Sequence, residues 1–171
     1  MRLFTILTAL FFVMISGLFA QKMTPQKGGN CFTLDIPAYM TKTFNLNDVA
    51  SLQYHNIHKE AYTIVIEDNK EHLEFLGIKF VDADDFLKNF IESYMVDAEN
   101  RKTKSLSSFE ENSNKHAQLE MTWDQEGNRF YMLVTVVESK THFYKILCWT
   151  LDEYKDSLKP DFLKIAKSLK E

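Results

Sequence analysis

Glycine is scarce in this chain, with five in 171 residues, beside three prolines and two cysteines. One glycine lies in the N-terminal apolar run, so phosphate-cradling glycine loops have almost no material to form from. GxSxG, HExxH, CxxC and EF-hand patterns are also absent. No catalytic, cofactor-binding or metal-ligating residue can therefore be assigned from a motif, and no cofactor is expected. Excess positive charge is missing too. The formal net charge is −4 at pH 7, which gives no basic field to attract nucleic acid or anionic lipid. Beyond residue 20 there is no long apolar run, so no stable membrane insertion is expected of the remaining chain.

The first twenty residues, "MRLFTILTALFFVMISGLFA", do have such a run. Arg2 precedes it, small residues loosen its end, and polar sequence follows at once. This is the layout of a secretory signal peptide, with cleavage expected between Ala20 and Gln21. A lipoprotein would need a cysteine at the cut, and none stands there. The expected location is periplasmic or extracellular. Residues 21–30, "QKMTPQKGGN", lack periodicity and read as a flexible lead-in. Residues 31–171 then have the length of one domain. Export gives meaning to Cys31 and Cys148, which allow a single disulfide. Two separate buried thiols in apolar strands, "NCFTLDI" and "KILCWTL", fit the same residues.

From Cys31 onward, alternation marks strands. Phe32, Leu34 and Ile36 share one face before Pro37. Leu52 and Tyr54, then Tyr62, Ile64 and Ile66, are close enough in sequence to form a hairpin. "NKEHLEFLG" predicts a short helix stopped by Gly77. "DADDFLKNFIESYMVDAEN" predicts the longest amphipathic helix, with Phe86, Leu87, Phe90, Ile91, Tyr94, Met95 and Ala98 at helical spacing. Ala117, Leu119, Met121 and Trp123 alternate again. "WDQEGNR" reads as a turn, and "FYMLVTVVE" as a central strand that is apolar on both faces. "FYKILCWT" follows a tight link. The chain closes on a helix with Pro160 expected in its first turn. "SLSSFEE" is a weak strand candidate. Hairpin-length links imply antiparallel pairing. The predicted fold class is α+β, an antiparallel sheet with helices packed on its faces.

The opening "FTLDIPAYM", the segment "FEENSNKHAQLEMTW" and the closing "RFYMLVTVVESKTHFYKILCWTLDEYKDSLKPDFLKIAKSL" together resemble the PsbP-like superfamily. That group includes PsbP, the Ran-binding Mog protein and DcrB-like periplasmic proteins. Within it, the chain is most similar to small exported Bacteroidetes proteins. The resemblance covers about residues 31 to 170 and implies an α-β-α sandwich. It brings no shared catalytic motif, so no functional residue transfers to this sequence.

The remaining candidates have ordinary explanations. His55 and His58, with Glu60 behind them, invite a metal reading. Residues three apart on a strand face opposite ways, however, and no neighbouring ligand completes a zinc set, so "NIHKE" is expected to turn the hairpin. "VDADD", with Asp82, Asp84 and Asp85, caps a helix start. "RKTK", residues 101–104, complements the negative end of that helix. The second face of the central strand, Tyr131, Leu133 and Val137, is expected to lie under a helix. The reading is thus of a non-enzymatic module that binds an envelope protein or supports an envelope complex. Alternatives are a carrier with an apolar pocket between sheet and helix for a small apolar ligand, and a hydrolase without a recognised motif.

Overall fold

The computed structural model describes residues 22–29 and 31–171. The expected leader and its cut between Ala20 and Gln21 lie outside the described residues. Among the described residues, ten strands are present: β1 (Met23–Gly28), β2 (Phe32–Pro37), β3 (Thr41–Lys42), β4 (Leu52–Asn56), β5 (Ala61–Asn69), β6 (Glu99–Thr103), β7 (Ser107–Glu111), β8 (Asn114–Gln125), β9 (Asn128–Glu138) and β10 (His142–Leu151). Three helices accompany them: α1 (Lys70–Phe75), α2 (Ala83–Ser93) and α3 (Lys155–Lys167). The main sheet runs β3-β4-β5-β10-β9-β8-β6, with β7 also paired to β8, and every pairing is antiparallel. β1 and β2 form a separate hairpin.

Alternating side chains divide the core in two. On one face, Tyr131, Leu133, Val137, Tyr144 and Ile146 pack against Phe32, Leu34 and Ile36 of β2 and against Leu158, Phe162 and Ile165 of α3. On the other, Leu119, Met121, Met132 and Val134 pack against Ala83, Phe86 and Leu87 of α2. β9 is buried from Tyr131 to Val137, as expected of a strand covered on both sides. The second face of the central strand does lie under a helix, and the architecture is the predicted α-β-α sandwich.

Three expectations need correction. Residues 23–28 are a strand, not a flexible lead-in. Their side chains are mostly polar, so periodicity gave no sign. The order comes from backbone pairing with β2, from the Tyr54 hydroxyl donating to Gln26 Oε1 (2.8 Å) and from Thr24 Oγ1 donating to Ile36 O (3.2 Å). Gly28 is part of this closure, because a Cβ there would lie 2.1 Å from the Phe32 ring. The long helix stops at Ser93 rather than continuing to Ala98. Arg101 ends it by donating to the carbonyls of Ile91 (2.5 Å) and Tyr94 (3.2 Å). Tyr94, Met95 and Ala98 still pack on the core from the unwound segment. Finally, α3 begins at Lys155, so Pro160 sits inside it rather than in its first turn. Leu158 is buried and anchors the added turn. Pro160 points to solvent, where a missing donor costs least.

Candidate functional site: an apolar strap clamped by Glu138

The residues first weighed for chemistry have structural employment. Asn56 caps the 3-10 turn Ile57–Lys59 between β4 and β5, accepting from Lys59 N at 2.9 Å, and Glu60 closes it in a left-handed conformation. His55 meets the Tyr62 ring edge-on at 6.5 Å, while His58 is exposed in the turn. Among the described residues, no group of three or more His, Cys, Asp or Glu is placed to hold a metal. Asp82 caps α2 by accepting from Asp85 N at 3.0 Å. Asp85 accepts from Val81 N, also at 3.0 Å, and Asp84 accepts from the Ser108 hydroxyl at 2.7 Å. Arg101 of "RKTK" serves the opposite end of the same helix, as expected.

Cys31 and Cys148 stand as free thiols in this structure. Cys31 lies 3.5 Å from the Tyr144 hydroxyl and donates to Glu67 Oε2 at 3.4 Å. Cys148 stands four residues further along β10 from Tyr144, about 13 Å along a strand, against Thr63 Oγ1 at 3.5 Å. Burial pushes the Cys148 thiol up to about 12 and raises that of Cys31. Both are protonated near neutral pH and are poor nucleophiles. Around Cys31, the Tyr144 hydroxyl donates to Glu171 Oε1 (3.0 Å), which also meets His142 Nδ1 (3.1 Å) and Thr141. Asn69 Nδ2 lies 3.3 Å from His142 Nε2. The hydrogen-bonding capacity of this cluster is spent on itself. It fastens the C-terminal residues to β10 and β2, beside the paired backbone of Thr33 and Lys170.

A contiguous apolar feature without structural employment lies between α1 and α2. Here Phe75, Leu76, Ile78 and Val81 face solvent, with Phe75 86% and Val81 85% exposed. The segment is nonetheless ordered by its bonds. Ile78 N donates to Leu73 O (2.9 Å) and Gly77 N to Glu74 O (3.0 Å), the two bonds of a Schellman motif, with Gly77 at φ 76° in the left-handed position. At the other end, Val81 N is held by Asp85. One carboxylate on β9 holds both flanks. Glu138 Oε1 pairs with Lys70 Nζ at 2.9 Å, and its Oε2 accepts from Ala83 N, the first amide of α2, at 3.2 Å. Lys70 also donates to Ser139 O (2.7 Å) and lies over the Phe143 ring at 4.6 Å. Beneath the strap, Leu73, Ile78, Phe80 and Phe143 line a cleft of about 230 Å³. Sequence reasoning found the helix and its Gly77 stop but missed the strap. The available signal was "FLGIKFV", an apolar stretch with neither helical nor strand period.

No protein-family model and no curated protein sequence matches the chain. Solved structures do match in shape. Cyanobacterial PsbP from Synechocystis sp. PCC 6803 has a TM-score of 0.58 at 9% identity, covering 90% of this chain and 95% of that one. The chain has a PsbP-like fold. LpqN, involved in cell envelope biogenesis of Mycobacterium tuberculosis, superposes with a TM-score of 0.55 at 13% identity, covering 88% of this chain and 90% of LpqN. A Bacteroides thetaiotaomicron protein gives 0.57 at 9% identity over 84% of this chain and 46% of its own. Identities this low carry the fold alone. Among the described residues, no helix is long and apolar enough to cross a membrane.

Proposed function

We propose that this chain is an exported, non-enzymatic binding module of the cell envelope, and that the strap from Phe75 to Val81 is its docking surface. The observation that carries the proposal is the exposure of Phe75, Leu76, Ile78 and Val81 on a segment clamped at both ends. Exposed apolar side chains on ordered backbone suit recognition, because little conformational freedom remains to be lost on binding. The leader sequence and the likeness of fold to LpqN, an envelope-biogenesis protein, support the assignment to the envelope. The cleft under the strap, at about 230 Å³, is below the roughly 300–1,000 Å³ of small-molecule sites. It suits one inserted side chain better than a carried ligand.

The test is a photo-crosslinking amino acid placed at Phe75, at Val81 and, as a control, at the exposed turn residue Glu126, in the full chain expressed in its own host. A discrete adduct at the two strap positions and none at Glu126 is expected. Equal adducts at all three positions, or none at the strap, would remove the strap as the docking surface. N-terminal sequencing of the exported protein should begin at Gln21.

A further inference from the structure

The strap has a charge pattern as well as an apolar surface, and we propose that its occupant is a basic, apolar protein segment: a large apolar side chain flanked by lysine or arginine. This rests on the reading of the strap as a docking surface and adds the chemistry of the partner. Between Lys70 and Asp85 the chain has five carboxylates, Glu71, Glu74, Asp82, Asp84 and Asp85, against two lysines. Lys70 is committed to Glu138, which among the described residues leaves Lys79 as the one lysine of this stretch outside an ion pair. Among the described residues, none of the five carboxylates is in an ion pair. Asp82, Asp84 and Asp85 accept bonds from neutral donors, which orient the carboxylates and leave their charge in place. Glu71 and Glu74 are exposed; Glu74 lines the cleft together with Lys79, Ile78, Phe80 and the Lys70–Glu138 pair, while Asp82 and Asp84 line a second cleft beside Ser108 and Phe109.

This pattern discriminates among occupants. A second copy of the chain related by a two-fold axis would set one acidic rim against another, and like charges across an interface oppose association. An anionic lipid surface would be repelled for the same reason. A segment with cations beside an apolar anchor meets the rim with opposite charge while its anchor fills the cleft beside Leu73 and Phe143. Long-range attraction of this kind speeds encounter and weakens as salt is added.

The experiment uses the full chain and an immobilised array of twelve-residue peptides. In each peptide a central Phe or Leu is flanked by lysines, by glutamates or by serines. Binding to the lysine-flanked peptides is expected, falling at least tenfold between 50 and 500 mM salt, with none to the glutamate-flanked set. A Phe75→Ser/Ile78→Ser variant should lose the binding. A Glu71→Gln/Glu74→Gln variant should weaken it and flatten the salt dependence. Equal binding to all three sets, or preference for glutamate, overturns the proposal. So does concentration-dependent dimerisation abolished by Val81→Ser, or flotation of the chain with phosphatidylglycerol vesicles. If no peptide binds while crosslinks at Phe75 persist, the basic chemistry is wrong and the docking surface stands. If both fail, the docking surface fails as well.

Discussion

Gly77 takes a left-handed turn at φ 76°, with open space where a Cβ would stand. Replacement by alanine would clash with nothing, so its cost should be the backbone alone, about 1 kcal/mol. The chemical denaturation midpoint of Gly77→Ala checks this, and an unchanged midpoint would mean that the Schellman turn adds no stability. The cysteines give a second test at this scale. Iodoacetamide should label partly exposed Cys31 in the native protein and spare Cys148, which is fully buried with its thiol pushed up to about 12. Labelling at equal rates would contradict the packing around Cys148. What the sequence made legible here was uneven. The divergence of His55, at the end of β4, from His58, in the turn, followed from strand parity. The state of the two cysteines did not, because spacing says nothing of where two Cβ atoms end up.

At the scale of elements, legibility followed burial. The hairpins β4–β5, β8–β9 and β9–β10 bury one face or both, so their apolar residues either alternate or, as in β9, run unbroken. β1 and β6 lie outside the core and are mostly polar, so nothing periodic marks them. The strap escaped notice for a related reason: its flanks are held by Glu138, 68 residues from Lys70 and 55 from Ala83 in sequence. Glu138→Gln should cost about 1–2 kcal/mol, since it removes the charge both from the pair with Lys70 and from the start of α2. Hydrogen exchange is the decisive measurement. Amides of residues 70–83 should exchange faster, with those of β8, β9 and β10 unchanged. Loss of protection throughout the sheet would show that Glu138 supports the whole fold and not only the strap. Asp82→Ala, which removes the N-cap of α2, should cost about 1 kcal/mol and give the same local pattern of exchange.

For the whole molecule, one buried histidine and two partly covered carboxylates set how stability responds to acid. His116 on β8 is 1% exposed and stacks on Phe109 of β7 at 4.8 Å, with Lys167 of α3 over that ring. Burial lowers its pKa below 6.5, neighbouring Glu111 opposes the shift, and Lys167 adds slightly to it. Below pH 6.5 the unfolded chain therefore takes up a proton that the folded chain refuses. Stability falls as pH drops toward the folded value, by at most about 1.4 kcal/mol per pH unit for one proton. Glu120 and Glu171 act further down. Burial raises each, but hydrogen bonds and charge from Lys159 and Lys104 outweigh it for Glu120, as do bonds from Thr141, Ser139, His142 and Tyr144 for Glu171. Both folded values thus lie below 4.5. The stability they contribute is present above that value and lost as pH falls through the folded ones. Urea midpoints should then decline in two limbs, the first beginning near pH 6.5 and the second below 4.5. His116→Phe keeps an aromatic ring against Phe109 and removes the titrating group, so it should flatten the first limb and leave the second. A first limb unchanged in that variant would assign the loss to another histidine and remove His116 from the account.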